Sequence, residues 1–188
     1  MRESDIVDQD GWLRGARRVD SPNYDARLAG EPPSLLVIHA ISLPPEQFGG
    51  DAIIRFFSNT LDVGEHPYYQ QISGLRVSSH FLIRRDGELI QFVSCNMRAW
   101  HAGISSWLGR QRCNDYSIGI ELEGCDDLPF EHEQYAQLLR LVEALRVVYP
   151  IDAIVGHSDI SPGRKTDPGP CFDWGRLDSQ GRLPGPLD

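Results

Sequence analysis

PPSLLVIHAISLPP, residues 32–45, decides the fold. Leu35 to Ile38 form a continuous apolar run, with Pro32-Pro33 before it and Pro44-Pro45 after it. A run this short and proline-bounded reads as a buried strand. It delivers His39 at its end. A second short run, Ala153 to Val155, ends in the same way at Gly156-His157. Ligands bind at the carboxyl ends of strands in open sheets, so two neighbouring parallel strands would bring both histidines to one edge.

The rest of the chain supplies partners for these strands. SIGIELEG (117–124) alternates, with Ile118, Ile120 and Leu122 on one face and Gly119, Glu121 and Glu123 on the other. HFLIRRDGELIQFVS reads as a hairpin turning at Asp86-Gly87. Residues 131–149 carry the best helical stripe: Tyr135, Leu138, Leu139, Val142, Leu145 and Tyr149. Glu131 and Glu133 suit its first turn and Pro150 closes it. A shorter helix is expected from Asp51, as cap, to about Asn59. Residues 1–33, 59–79 and 100–115 show no clear period and read as irregular. The expected fold class is mixed α/β, a single central mixed β-sheet flanked by α-helices.

A length of 188 residues fits one domain, with its core at about 12–176 and a polar, flexible tail at 177–188. The chain is 40% hydrophobic and 24% charged, which excludes global disorder. A net charge of −9 argues against a general nucleic-acid or acidic-membrane binder. The N-terminus is charged throughout and does not read as a secretory signal. LLVIHAISLPP is too short to span a bilayer. A soluble cytoplasmic protein is expected. The four cysteines, at 95, 113, 125 and 171, lack CxxC spacing and read as reduced thiols without a chemical role.

The chemistry concentrates in VGHSDISPGRKTDPGP, residues 155–170. Prolines and glycines stiffen a loop that presents His157, Lys165 and Asp167. With His39, that makes two histidines and a carboxylate, a set that suits Zn²⁺ and leaves a fourth position open for water. Such a site activates water and polarises a carbonyl. Lys165 could steady an oxyanion beside the metal. Either Glu121 or Glu123 could serve as general base, and alternation does not choose between them. Arg76 and Arg112, near Tyr68, Tyr69, Trp100 and Trp107, could line a groove that pairs with substrate carboxylates. His132, among acidic neighbours on the predicted helix, reads as a surface residue.

SLLVIHAISLPPEQFGG, LRVSSHFLIRRDGELIQFV, RAWHAGISS, RCNDYSIGIELEG and GHSDISPGRKTDPGP together resemble the zinc-dependent N-acetylmuramoyl-L-alanine amidases of the amidase-2 group. More narrowly, they resemble the cytoplasmic branch acting on 1,6-anhydro-N-acetylmuramyl-L-alanine. The resemblance runs from about residue 12 to 174. It implies a fold shared with peptidoglycan-recognition proteins and phage lysozyme-type amidases. It implies one zinc ion on His39, His157 and Asp167, with Glu121 as the catalytic glutamate and Lys165 as the residue that stabilises the transition state. Arg76, Trp100, Arg112 and Arg164 match positions that line the muropeptide groove. The implied role is peptidoglycan recycling, which also limits muropeptide-triggered β-lactamase induction. A monomer acting on a small-molecule muropeptide is expected, with no nucleic-acid or membrane partner. Ala40 departs from the family, which usually has a substrate-bonding asparagine after the first ligand. Two other readings follow from the same residues: a peptidoglycan-binding module without catalysis, and a broad amidase of intact cell wall.

Overall fold

The run at Leu35 becomes a seven-residue strand near one edge of a six-stranded sheet in the computed structural model, which describes residues 3–28 and 30–180. In chain order the strands are β1 (Arg17–Arg18), β2 (Tyr24–Ala26), β3 (Leu35–Ile41), β4 (Phe81–Ile83), β5 (Leu89–Gln91), β6 (Met97–Ala99), β7 (Ser106–Trp107), β8 (Arg110–Gln111), β9 (Ser117–Glu123) and β10 (Ala153–Gly156). The helices are α1 (Ala52–Phe57), α2 (Pro67–Gln71), α3 (His132–Val148) and α4 (His157–Ile160).

The sheet order is β1-β5-β4-β9-β3-β10. β4, β9, β3 and β10 are parallel, whereas β5 returns antiparallel to β4 through the expected hairpin. The mixed sheet expected from sequence is therefore present. Its register matters for chemistry: His39 pairs with Glu121, and Ile38 pairs with Gly156. The three strand ends thus meet at one edge.

Parity along the strands divides the sheet into two faces. Leu36, Ile38, Ile118, Ile120 and Leu122 pack under α3 with Leu138, Val142 and Leu145. The opposite face carries Leu35, Val37 and Val155 in one cluster. Leu82 and Ile90 join α1 in another. α3 starts with a capping box in which the Glu131 N–H donates to Gln134 Oε1 at 2.9 Å. Gln134, fully buried, also donates to the Ile83 and Glu123 carbonyls, pinning the helix start to the sheet.

Several expectations change. Asp51 caps α1 by position only: its side chain makes no cap hydrogen bond and pairs instead with Arg55 at 3.0 Å. The 59–79 segment contains α2, whose N–H at Tyr68 is capped by His66 Nδ1 at 3.1 Å, with Pro67 in the first turn. The 100–115 segment contains the β7–β8 hairpin, and the irregular N-terminal segment contributes β1 and β2. β2 pairs with β6 in a separate small ladder, with Asp25 opposite Arg98, 73 residues apart in sequence. Leu177, the first residue of the expected tail, is fully buried in the cluster under α3. Residues 181–188 of the expected tail lie outside the described residues.

Candidate metal and catalytic site

His39 lies on β3, two residues before the end of the strand and on the face opposite α3, and His157 opens α4 straight after β10. The loop that follows is folded back on itself: the Ser158 N–H donates to the Asp167 carbonyl at 2.9 Å. Ser161 Oγ and the Arg164 guanidinium anchor its middle to the Ile104 carbonyl, both at 2.8 Å. Pro168 packs so closely on Gly156 that a Cβ there would lie 2.9 Å from its Cδ. These contacts carry Asp167 back to His157.

The result is a three-residue cluster. His39 Nδ1 and His157 Nδ1 lie 2.9 Å apart, and each is 3.1 Å from Asp167 Oδ2. Both histidines are nearly inaccessible, and Asp167 is partly buried. Burial pushes His39 down to about 4, although Asp167 beside it pulls the other way. Burial also drives His101, the neighbour of His39, well below the ordinary histidine value. Both rings are therefore neutral at physiological pH.

The donor set fits a metal. His157 Nε2 lies 3.0 Å from the Ala102 carbonyl, which can only accept, so that nitrogen holds the proton and Nδ1 is left with its lone pair. An ionised Asp167 also has only lone pairs to offer. Lone pairs crowded this closely repel one another unless a cation sits among them. Two imidazoles and one carboxylate are the ligand types of a catalytic zinc site with an open position.

Glu121 and Glu123 share a face of β9 but differ in their surroundings. Glu123 accepts from the Gly49 N–H at 2.7 Å and from the Arg85 N–H at 3.3 Å, which fastens the 44–50 loop to the sheet. Glu121 Oε2 is buried and has no hydrogen-bond partner among the described residues. Burial raises its pKa well above the ordinary carboxylate value; the Asp167 charge pushes the same way and Lys165 opposes it. A carboxylate in that setting is suited to take up a proton.

Glu121, His39, His157, Lys165 and Asp167 all line one cleft of about 620 Å³. Tyr68, Ile72, Leu75 and Val77 form part of its wall, so the long 59–79 segment borders the site. Arg164 also lines the cleft, with Nη2 donating to the Ala102 carbonyl at 2.7 Å. Arg76, Trp100 and Arg112 are not among the lining residues. Arg76 is exposed and faces a small neighbouring hollow. Arg112 pairs with Asp115 at 3.0 Å. Trp100 is half-buried, its main chain tied to Ser78. Tyr69 and Trp107, grouped with the groove by sequence, are core residues. Ala40 sits at the cleft and packs partly against the cluster under α3. His132 lies on the exposed start of α3, near Arg176. All four cysteines are free. Sequence reasoning passed over His101 altogether, since nothing in its spacing marks it.

Comparison with known proteins agrees with this geometry. Residues 29–170 match the family described as Amidase_2: N-acetylmuramoyl-L-alanine amidase. The chain is 56% identical over 171 residues to the 1,6-anhydro-N-acetylmuramyl-L-alanine amidase AmpD of Escherichia coli, covering 90% of this chain and 93% of that protein. It superposes on the crystal structure of a selenomethionine AmpD derivative with a TM-score of 0.90 and 56% identity, covering 93% of this chain and 98% of the other. A third likeness is to the Escherichia coli amidase AmiD in complex with anhydro-N-acetylmuramic acid-L-Ala-D-gamma-Glu-L-Lys. Its TM-score is 0.59 at 32% identity, over 96% of this chain and 67% of that one. With a matched region that spans most of the chain and carries every residue of the His39–His157–Asp167 cluster, the protein belongs to the N-acetylmuramoyl-L-alanine amidase family.

Proposed function

We propose that this protein is a zinc-dependent amidase that cleaves the bond between 1,6-anhydro-N-acetylmuramic acid and the L-alanine of a muropeptide. The observation that carries the reading is the convergence of His39, His157 and Asp167 beside a buried, unpartnered Glu121. The names of the relatives and the ligand of the AmiD complex support the substrate class. A cleft of about 620 Å³ is of a size to hold such a glycopeptide.

His39, His157 and Asp167 would hold the zinc ion. When bound, zinc activates water and polarises the scissile carbonyl. Glu121 accepts the proton of the attacking water and returns a proton to the alanine nitrogen as the C–N bond breaks. The products are the free lactyl carboxylic acid of the sugar and the free amine of the peptide. Lys165, on the loop that carries Asp167, would place a positive charge near the carbonyl oxygen as negative charge develops there. Arg164, whose Nη2 is held by the Ala102 and Ile104 carbonyls, would pair with a substrate carboxylate through its remaining donors, and Arg76, Trp100 and Arg112 would reach substrate only beyond the cleft. The reading places the protein in peptidoglycan recycling, in the cytoplasm, acting as a monomer. No helix among the described residues is long and apolar enough to cross a membrane.

The test is mass spectrometry of an anhydro-muropeptide digest, with and without a chelator and with zinc restored. The expected products are free anhydro-N-acetylmuramic acid and intact peptide, lost on chelation and recovered with zinc. Undiminished cleavage by metal-free protein would refute the metal assignment. Peptide release from intact sacculi at an equal rate would refute the recycling substrate. Stoichiometric zinc without cleavage would leave only a binding module.

A further inference from the structure

His39 turns Nδ1 towards Asp167 and its other ring nitrogen towards His101, which also lines the cleft. That nitrogen, Nε2, lies 2.9 Å from His101 Nδ1. Two imidazole nitrogens in contact share one proton, and the surrounding groups determine which of them carries it. The Ser117 hydroxyl donates to the Cys113 carbonyl at 2.6 Å. With its single proton committed there, Ser117 Oγ can only accept from His101 Nε2, 3.2 Å away. A neutral His101 then has a bare Nδ1, which accepts from the Nε2–H of His39. His39 in turn keeps its lone pair on Nδ1, the atom that faces Asp167 and His157. The polarity of one main-chain carbonyl is thus transmitted through a serine and a histidine to a metal ligand.

Two further features show that the place of His101 is built. A Cβ on Gly119 would lie 2.5 Å from His101 Cγ and 2.7 Å from Nδ1, so β9 gives up a side chain where the ring rests. Asn114 Oδ1 accepts from the main-chain N–H groups of His101 and Ala102, at 3.2 and 2.8 Å. The segment it holds serves both histidine ligands: His101 meets His39 by its side chain, and Ala102 meets His157 by its carbonyl.

We propose that His101 is a positioning residue that fixes the tautomer and ring orientation of His39 for metal binding, with Ser117 as its anchor. The proposal rests on the zinc reading given above and adds a residue to it. Outer partners of ligating histidines typically contribute 10–100-fold to metal affinity.

The experiment compares wild type, His101→Leu, His101→Asn and Ser117→Ala. Zinc affinity is read by competition with a chromophoric chelator, and ligand geometry by the visible spectrum of the Co²⁺-substituted protein. Urea unfolding of the metal-free proteins reads the fold. His101→Leu should weaken zinc about 10–100-fold and alter the Co²⁺ bands. His101→Asn, which can offer an oxygen near the position of Nδ1, should recover most of that loss at similar metal-free stability. Ser117→Ala should weaken zinc in the same direction by less, and it carries the test if His101→Leu fails to fold. Wild-type zinc affinity and spectrum in His101→Leu, or in Ser117→Ala where it carries the test, would overturn this proposal alone. So would an asparagine variant as weak as the leucine one. Failure of wild type to bind zinc, or full affinity in His39→Ala, would sink the metal reading and this proposal with it.

Discussion

Replacing Glu121 by glutamine tests activity and stability together. The change keeps the side-chain shape but removes its ability to take up a proton. If Glu121 is the general base, turnover should fall about 10²- to 10⁴-fold, equivalent to about 2.7–5.5 kcal/mol in the barrier. The fold should respond in the opposite sense. Glu121 is 8% exposed, and Oε2 has no hydrogen-bond partner among the described residues. A buried unsatisfied group costs about 1–3 kcal/mol, and more when it is charged. A neutral amide is cheaper to bury there than a carboxylate, so metal-free Glu121→Gln should be more stable than wild type at neutral pH by about 1 kcal/mol or more. For a chain of this size that is a rise of about 2–4 °C in Tm per kcal/mol. The assays are single-turnover cleavage of an anhydro-muropeptide, zinc stoichiometry, and thermal unfolding with metal removed. Normal turnover with zinc bound would refute the role. Lost turnover accompanied by lost zinc and lower stability would make Glu121 a structural residue instead.

Two other perturbations probe the frame around the site. Leu177→Ala should cost about 2–5 kcal/mol in urea unfolding, because the side chain is fully buried under α3; a loss below about 1 kcal/mol would restore the expectation of a loose tail from residue 177. His80 is buried and neutral, pushed down to about 3 by burial and then by the nearby Arg27 charge. The unfolded chain protonates this residue below its ordinary value of about 6.5, whereas the folded chain does not until about 3, so stability falls as pH drops across that window. Between pH 7 and 5 the loss from this residue is about 2 kcal/mol. Urea unfolding at both pH values should show a drop smaller by about that amount in His80→Gln, and equal drops in the two proteins would contradict the assignment.

The elements legible in the sequence are those whose signal is local. α3 has a long apolar stripe, a polar start and a terminating proline, and its observed span, His132–Val148, lies inside the expected one. β9 alternates, and β4–β5 turn at Gly87 with a φ of 86°. The unread elements depend on features that propensity does not encode. β7 and β8 turn through Leu108 and Gly109, both at positive φ, where a leucine gives no hairpin signal. β2 and β6 are three-residue strands that exist only because distant segments meet. α2 relies on a histidine as its cap. His101 shows the same limit within the site: its partners are His39, Ser117 and Gly119, none adjacent in sequence, so its place emerges only when the chain folds.

His39, one of the proposed metal ligands, is legible for a different reason, which lies in the parity of the sheet. On β3, Leu35 and Val37 enter one core and His39 follows them on the same face; on β9, Glu121 follows Ser117 and Gly119. Those strands sit in parallel register, so the same parity sets His39 beside Glu121. A slip of one residue in β3 would send His39 towards α3 and bring Ile38 to the cleft. The apolar residues at 36 and 38, held under α3, oppose that slip. The hydrophobic pattern that builds the core therefore also aims the chemistry. That is why a proline-bounded apolar run points to His39 as a candidate site residue. It is also why substitutions at Leu36 or Ile38, remote from the cleft, should disturb metal binding whenever they loosen the register.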